Sequence, residues 1–376
     1  MVTRRWWKRL SALTTVTLVA LGSAACGSSS AAGNPKGATT EFATSGPYGA
    51  GTVHYVVAGD PVVVWYPAPK SSVTGRSPYT YHLRTWVSPA IRNLIPASFA
   101  DGVTEDAYQG VPVASGAFPV VLFSHGYGGY PEQSTFLTAH LATWGMVVVA
   151  PDQIDRDLGA VIAGKASVAT PADVPEQLAA LRYVEQLSRT PGSLLTGHVK
   201  TSEVGALGHS AGGGTAVQVA AADPSVRGWV ALAGVPASPP KVPVPSLMVS
   251  GSADRTVPTS TVRTFYQSVA GHKALVVVDG YGHNVFDDIC TVNHGHGGVV
   301  AAVQDLHLPV PPALLQLATD GCSPPDGYPP TAWPLIDQVV TAQLRYDFGE
   351  STTAAGLGPE LGAAYPRLHV QVTTGS

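Results

Sequence analysis

From residue 119 onward the chain alternates short Val-rich runs with segments of helical periodicity, and this alternation narrows its fold more than any other feature. The runs are 119–123 (PVVLF), 146–150 (MVVVA), 203–208 (EVGALG), 228–233 (GWVALA), 246–250 (SLMVS) and 274–278 (ALVVV). Continuous apolar runs suit strands buried on both faces, as in a parallel sheet covered by helices. Residues 132–144, 175–189, 211–222 and 258–270 read as helices, with a last one over 333–347. Strand–helix–strand order calls for right-handed crossovers, hence a doubly wound, mostly parallel α/β sheet. Upstream, 53–57 (VHYVV) and 62–66 (VVVWY) flank Gly59-Asp60 and read as an antiparallel N-terminal hairpin. Residues 67–116, rich in Pro, Ser and Tyr, read as a long connection with one short helix near 88–94. Residues 284–332 read as a loop-rich insertion or cap, and 349–376 as a tail of uncertain order. The chain's 376 residues suffice for a large buried core, and the pattern assigns 47–348 to one domain.

In such sheets, function sits beyond the C-terminal ends of the strands. Gly208-His209-Ser210-Ala211-Gly212 fits G-x-S-x-G and lies between a strand and a helix. There a sharp turn lifts the Ser Oγ above the sheet, and the helix N-terminus aims backbone N–H groups at it. A nucleophilic Ser needs a base and an acid that orients the base. Asp254 follows strand 246–250 in SGSADRTVP, and His283 follows strand 274–278 in DGYGH, giving the order Ser, acid, His. Asp279 is an alternative acid, but it shares a strand end with His283 and is set aside. Among twelve histidines, His283 alone combines the order, the strand-end position and Gly neighbours.

The loop in 123–130 (FSHGYGGY) follows the first parallel strand. It assigns the backbone N–H groups of Tyr127 and Ala211 as the pair that would stabilise a tetrahedral oxyanion. The Tyr127 ring is a candidate to line the substrate pocket, and His125 to brace the loop. No metal or organic cofactor is required by this chemistry. Asp287, Asp288, His294, His296 and His307 match no closed metal-site spacing.

The segments FPVVLFSHGYGGY, GALGHSAGGG, SGSADRTVP and GYGH resemble the α/β-hydrolase superfamily over roughly residues 50–348. Within it they are most similar to bacterial cutinase-like polyester hydrolases, dienelactone hydrolases and platelet-activating-factor acetylhydrolases. Two positions depart from the cutinase-like pattern. Ala211 stands where those enzymes tend to have Met, and Gly234-Val235-Pro236 stands where they carry a Trp. The resemblance implies a serine esterase or lipase, with Ser210, Asp254 and His283 as its triad and short-to-medium acyl chains as its expected substrates. Small-molecule, lipid and polyester esters all belong to that class. An acyltransferase would share the acyl-enzyme half of the reaction. A non-catalytic surface protein would be expected to have a broken triad, and a peptidase to show an S1 determinant; the chain shows neither.

The N-terminus reads as an address. Arg4, Arg5, Lys8 and Arg9 precede the apolar run 10–21, and Ser23, Ala24 and Ala25 follow, as in a secretory signal over 1–25. Arg4-Arg5 also resembles a twin-arginine signal. Cys26 next to Ala25 resembles a bacterial lipobox, with Ser23 where an aliphatic residue is usual, so Cys26 is a candidate for lipidation. Small polar residues to position 46 read as a tether. In an exported protein the remaining Cys290 and Cys322 are expected to pair, contributing roughly 3–4 kcal/mol in the chain-entropy model.

Charged residues make up only 12%, and the formal net charge is −4, which offers no basic face to nucleic acid. Loss of the four signal cations leaves 17 basic against 25 acidic residues, a formal −8. Anionic headgroups would repel such a chain, so membrane attachment would have to come from a lipid on Cys26. The sequence leaves the oligomeric state open.

Overall fold

A computed structural model describes residues 40–168, 171–351 and 356–376. The signal over 1–25, Cys26 and most of the tether lie outside the described residues. No helix among the described residues is long and apolar enough to cross a membrane.

The strands are β1 (Gly49–Val57), β2 (Asp60–Ala68), β3 (Thr80–His82), β4 (Gly102–Thr104), β5 (Tyr108–Gln109), β6 (Phe118–Ser124), β7 (Val147–Pro151), β8 (Val199–His209), β9 (Val226–Leu232), β10 (Ser246–Gly251), β11 (Lys273–Val278) and β12 (Gln371–Gly375). The longer helices are α1 (Thr135–Thr143), α2 (Asp173–Arg189), α3 (Ala211–Ala222), α4 (Thr259–Ser268), α5 (Gly298–Asp305), α6 (Pro312–Thr319) and α7 (Trp333–Asp347). One large sheet runs β12-β11-β10-β9-β8-β6-β7-β2-β1-β5. Pairings from β7 through β6, β8, β9 and β10 to β11 are parallel, whereas β1–β2, β2–β7 and β11–β12 are antiparallel.

Strand residues alternate between two cores, because successive side chains point to opposite faces of a sheet. Val121, Phe123, Val148, Val276 and Val278 pack with α1 and α7 in one core. Val120, Leu122, Val147, Leu275 and Val277 pack with α2, α3 and α4 in the other. Both faces are covered, which is why the central strands carry apolar residues at every position.

Three segments differ from the sequence reading. Residues 67–116 are more ordered than a plain connection. β3 and β4 pair with each other there, while the short helix read near 88–94 stands as a helical turn over Pro89–Arg92, capped by Ser88. Strands of three residues are too short to show a period. At the end of the segment read as a tether the chain is already packed on the fold: Phe42 is buried and its N–H donates to Gln338 Oε1 at 2.8 Å. The segment 349–376 contributes Leu361 and Leu368 to a core and ends in β12, an edge strand on β11. β12 reads QVTTG and is largely exposed, so backbone pairing holds it rather than an apolar pattern.

The strand order reverses around β6: β7 lies on one side and β8 on the other. The loop after β6 and the turn after β8 therefore flank a crevice at the C-terminal sheet edge.

Candidate active site

Ser210 occupies the single-residue turn between β8 and α3, at φ 56° and ψ −122°. That backbone is strained for a residue with a Cβ. It persists because its surroundings dictate it. Ser210 N–H donates to Leu232 O at 2.8 Å, and Gly213 N–H returns to Ser210 O at 2.9 Å. Gly208 and Gly212 carry no side chain for a direct reason. A Cβ on Gly208 would strike the Gly212 carbonyl, and one on Gly212 would strike the Ser124 carbonyl.

Ser210 Oγ lies 2.9 Å from His283 Nε2, and His283 Nδ1 lies 2.9 Å from Asp254 Oδ2. His283 and Asp254 are both buried. Asp254 Oδ1 accepts from Thr256 N–H at 2.9 Å and Val257 N–H at 2.7 Å, which leaves Oδ2 to face the imidazole. Asp279 is engaged elsewhere, accepting from Ser252 Oγ at 2.7 Å. The three residues nominated from the sequence thus form one hydrogen-bonded chain, contributed by the ends of β8, β10 and β11.

Tyr127 and Ala211 flank Ser210 from the two loops. Ala211 opens α3, and first-turn N–H groups have no intrahelical acceptor. Tyr127 lines the cleft above Ser210. The β6 loop is held from below. His125 is fully buried; its Nδ1–H donates to Gly126 O at 2.8 Å, and its Nε2 accepts from Gln153 N–H at 2.9 Å. The buried Arg156 guanidinium donates to His125 O at 2.9 Å and Ser124 Oγ at 2.7 Å, and it pairs with Asp173.

Sequence reasoning missed three further residues. Gln133 bridges the two halves of the site: its Oε1 accepts from Gly126 N–H at 3.0 Å, and its Nε2 donates to His209 Nδ1 at 2.9 Å. His209 Nε2–H in turn donates to the His283 carbonyl at 3.2 Å. Burial first, and then the neighbouring His283, hold the His209 imidazole well below its ordinary range, so it stays neutral. Asp320, in the insertion, reaches both loops that carry Asp254 and His283. Its Oδ2 accepts from Arg255 N–H at 3.0 Å and Thr256 Oγ1 at 2.7 Å, and its Oδ1 from His283 N–H at 3.3 Å. These contacts span tens of residues of sequence, and no local pattern announces them.

Within residues 284–332, Cys290 and Cys322 form a disulfide with a Cα–Cα distance of 4.9 Å, closing that segment on itself. Asn284, next to His283, donates from Nδ2 to Leu317 O at 2.8 Å. The cleft above Ser210 encloses about 1070 Å³ including its mouth, and the insertion forms one of its walls. Among the described residues no three His, Cys, Asp or Glu side chains group as a metal site. Asp287 Oδ1 accepts from Ile289 N–H, Asp288 Oδ2 accepts from Thr135, and His294 stacks on Tyr328.

Comparison with known proteins gives the chain relatives. A family model described as PET hydrolase-like matches residues 108–299, which contain Ser210, Asp254 and His283. A bis(hydroxyethyl) terephthalate hydrolase of Streptomyces coelicolor is 27% identical over 213 residues, covering 54% of this chain and 60% of the relative. Cutinase 1 of Thermobifida cellulosilytica is 27% identical over 183 residues, covering 46% of this chain and 63% of the relative. A cutinase of Thermobifida fusca is 27% identical over 183 residues, covering 46% and 54%. The chain therefore spans a little over half the length of these curated relatives. With just over half of its own length matched by the family model, on a sheet with these loops at its C-terminal edge, the chain belongs to the PET hydrolase-like family.

Proposed function

We propose that this protein is an exported serine hydrolase that cleaves carboxylic esters through an acyl-enzyme. In the first step Ser210 Oγ bonds to the ester carbonyl carbon while His283 Nε2 takes the hydroxyl proton. Asp254 holds the imidazole in place and balances the imidazolium charge. The tetrahedral oxyanion accepts from the N–H groups of Tyr127 and Ala211. The carbon–oxygen bond to the alcohol then breaks, and His283 passes its proton to the leaving oxygen. Water repeats the sequence on the acyl-enzyme, releasing the acid and restoring Ser210.

The observation that carries this reading is the Ser210–His283–Asp254 hydrogen-bond chain, with both links at 2.9 Å. The named activities of the relatives, on a terephthalate ester and on cutin, lend support to an ester substrate. Export by the signal over 1–25 and lipid attachment at Cys26 complete the proposal: the enzyme would work outside the cell, held by its lipid.

The test pairs wild-type protein with Ser210→Ala and His283→Ala on p-nitrophenyl butyrate and on bis(hydroxyethyl) terephthalate. Turnover should fall by roughly 10³-fold or more in each variant, since the triad acts as a unit. Undiminished hydrolysis by Ser210→Ala would refute the assignment. Mass spectrometry of the membrane fraction checks Cys26, where a mature N-terminus without acyl chains removes the anchor.

A further inference from the structure

The walls of the cleft come from segments outside the strand–helix alternation. α5 turns Val299, Ala302 and Val303 toward it, and α6 turns Leu314, Leu317 and Ala318. Each set has i, i+3, i+4 spacing, so each helix lays one continuous apolar stripe along the cleft. The Leu83–Asp101 segment adds Ile91 and Phe99 to the same lining. From the first to the last lining residue each stripe covers four helical rises, about 6 Å, which is past the reach of a two-carbon acyl group.

Charge in the cleft is spent internally. Arg84 Nε donates to Asp101 Oδ2 at 2.7 Å, and Arg84 Nη2 donates to Asp101 Oδ1 at 2.8 Å. Asp287 lines the cleft too, but burial pushes its carboxyl well above the ordinary range, and its Oδ1 already accepts from Ile289 N–H at 2.9 Å. A charged substrate tail would therefore enter without a counter-ion, at a desolvation cost that a neutral chain avoids.

We propose that this cleft is an acyl-chain site, and that the enzyme takes neutral esters of long, unbranched aliphatic acids, with the chain lying between the Leu83–Asp101 segment and the insertion. The proposal rests on Ser210 acting as the acylated nucleophile, and it moves the expected acyl length from short-to-medium to long. A chain attached to the carbonyl leaves water as the ester binds and is acylated, so its burial raises kcat/KM; in the acyl-enzyme it is already buried and deacylation gains nothing from it. The alcohol side is left to leave through the mouth.

The experiment measures kcat/KM for p-nitrophenyl esters from acetate to laurate, with the leaving group held constant. Efficiency should climb roughly fourfold per added methylene, as burial of each CH₂ group predicts, until the cleft is filled. Ala302→Trp lays a ring across the α5 stripe and should lower the laurate-to-butyrate ratio at least tenfold. Val303→Phe is the second variant, and thermal melting confirms that each is folded. Calorimetry of Ser210→Ala with the same esters reads binding without turnover and should show tighter binding of laurate than of butyrate. Ser210-dependent turnover with a profile that is flat or falls beyond butyrate, together with chain-independent binding, overturns the acyl site alone. Absence of turnover on every ester overturns the hydrolase reading on which it rests.

Discussion

Asp320→Ala removes the residue that ties the insertion to both loops bearing His283 and Asp254. The carboxylate is buried, and three donors converge on it: Arg255 N–H, Thr256 Oγ1 and His283 N–H. A buried donor left without an acceptor costs about 1–3 kcal/mol. Arg255 and Thr256 are exposed, so water can replace Asp320 for their donors, and the buried His283 N–H sets the scale. The Arg255 guanidinium is more than half exposed, so loss of its ion pair with Asp320 adds little. The expected destabilisation is therefore about 1–3 kcal/mol. The effect on catalysis should exceed what stability explains, because a shift of about 1 Å in a reacting group costs about 10²-fold. The assay is kcat/KM on p-nitrophenyl butyrate, well below the variant's melting point, beside the rate of Ser210 labelling by a fluorophosphonate. Both should fall about 100-fold, and Asp320→Asn, which keeps one acceptor oxygen, should fall between. A variant that melts earlier yet labels and turns over at the wild-type rate would refute the positioning argument.

Three further outcomes follow from the same geometry. Gln133→Leu keeps the side-chain volume but strips an acceptor from Gly126 N–H and a donor from His209, and kcat/KM should drop about 10-fold or more. Burial raises the Asp288 carboxyl to about 7, against the bonds from Thr135 that hold it down. The folded state thus keeps a proton that the unfolded state has lost, and this stability disappears as pH rises from about 4 to 7. Asp288→Asn should lose less stability than wild type over that window, by roughly 2–4 kcal/mol, as read from urea unfolding at pH 4, 5, 6 and 7; parallel curves would contradict it. Replacing Cys290 and Cys322 by Ser opens a loop with a sequence separation of 32. Chemical unfolding should report a loss of about 3–4 kcal/mol.

Much of this was legible because local rules and global packing agree in the sheet. The continuous valines of β6, β7 and β11 are buried on both faces, and a two-residue period would have been wrong for them. The helix over 211–222 was readable because the nucleophile turn marks its start. Ser210, Asp254 and His283 could be nominated because each closes a strand, and strand ends converge at one sheet edge. What escaped depends on distant partners. Asp320 looks like any loop carboxylate until the insertion folds back over His283. β12 carries little apolar signal because an edge strand is held by backbone hydrogen bonds. Gln133 and His209 meet across 76 residues of sequence, a pairing that no motif encodes. The cleft lining was hidden for the same reason: apolar residues in 83–101 and 299–318 gain their meaning only when they line one cleft.

Hydrolysis by this route requires Ser210 to become acylated. Rapid acid quenching during turnover of p-nitrophenyl butyrate, followed by proteolysis and mass spectrometry, tests it most directly. A butyryl adduct should appear on the peptide carrying Ser210, form no more slowly than steady-state turnover, and vanish in Ser210→Ala. Turnover with no adduct, or with an adduct on another residue, would contradict the mechanism.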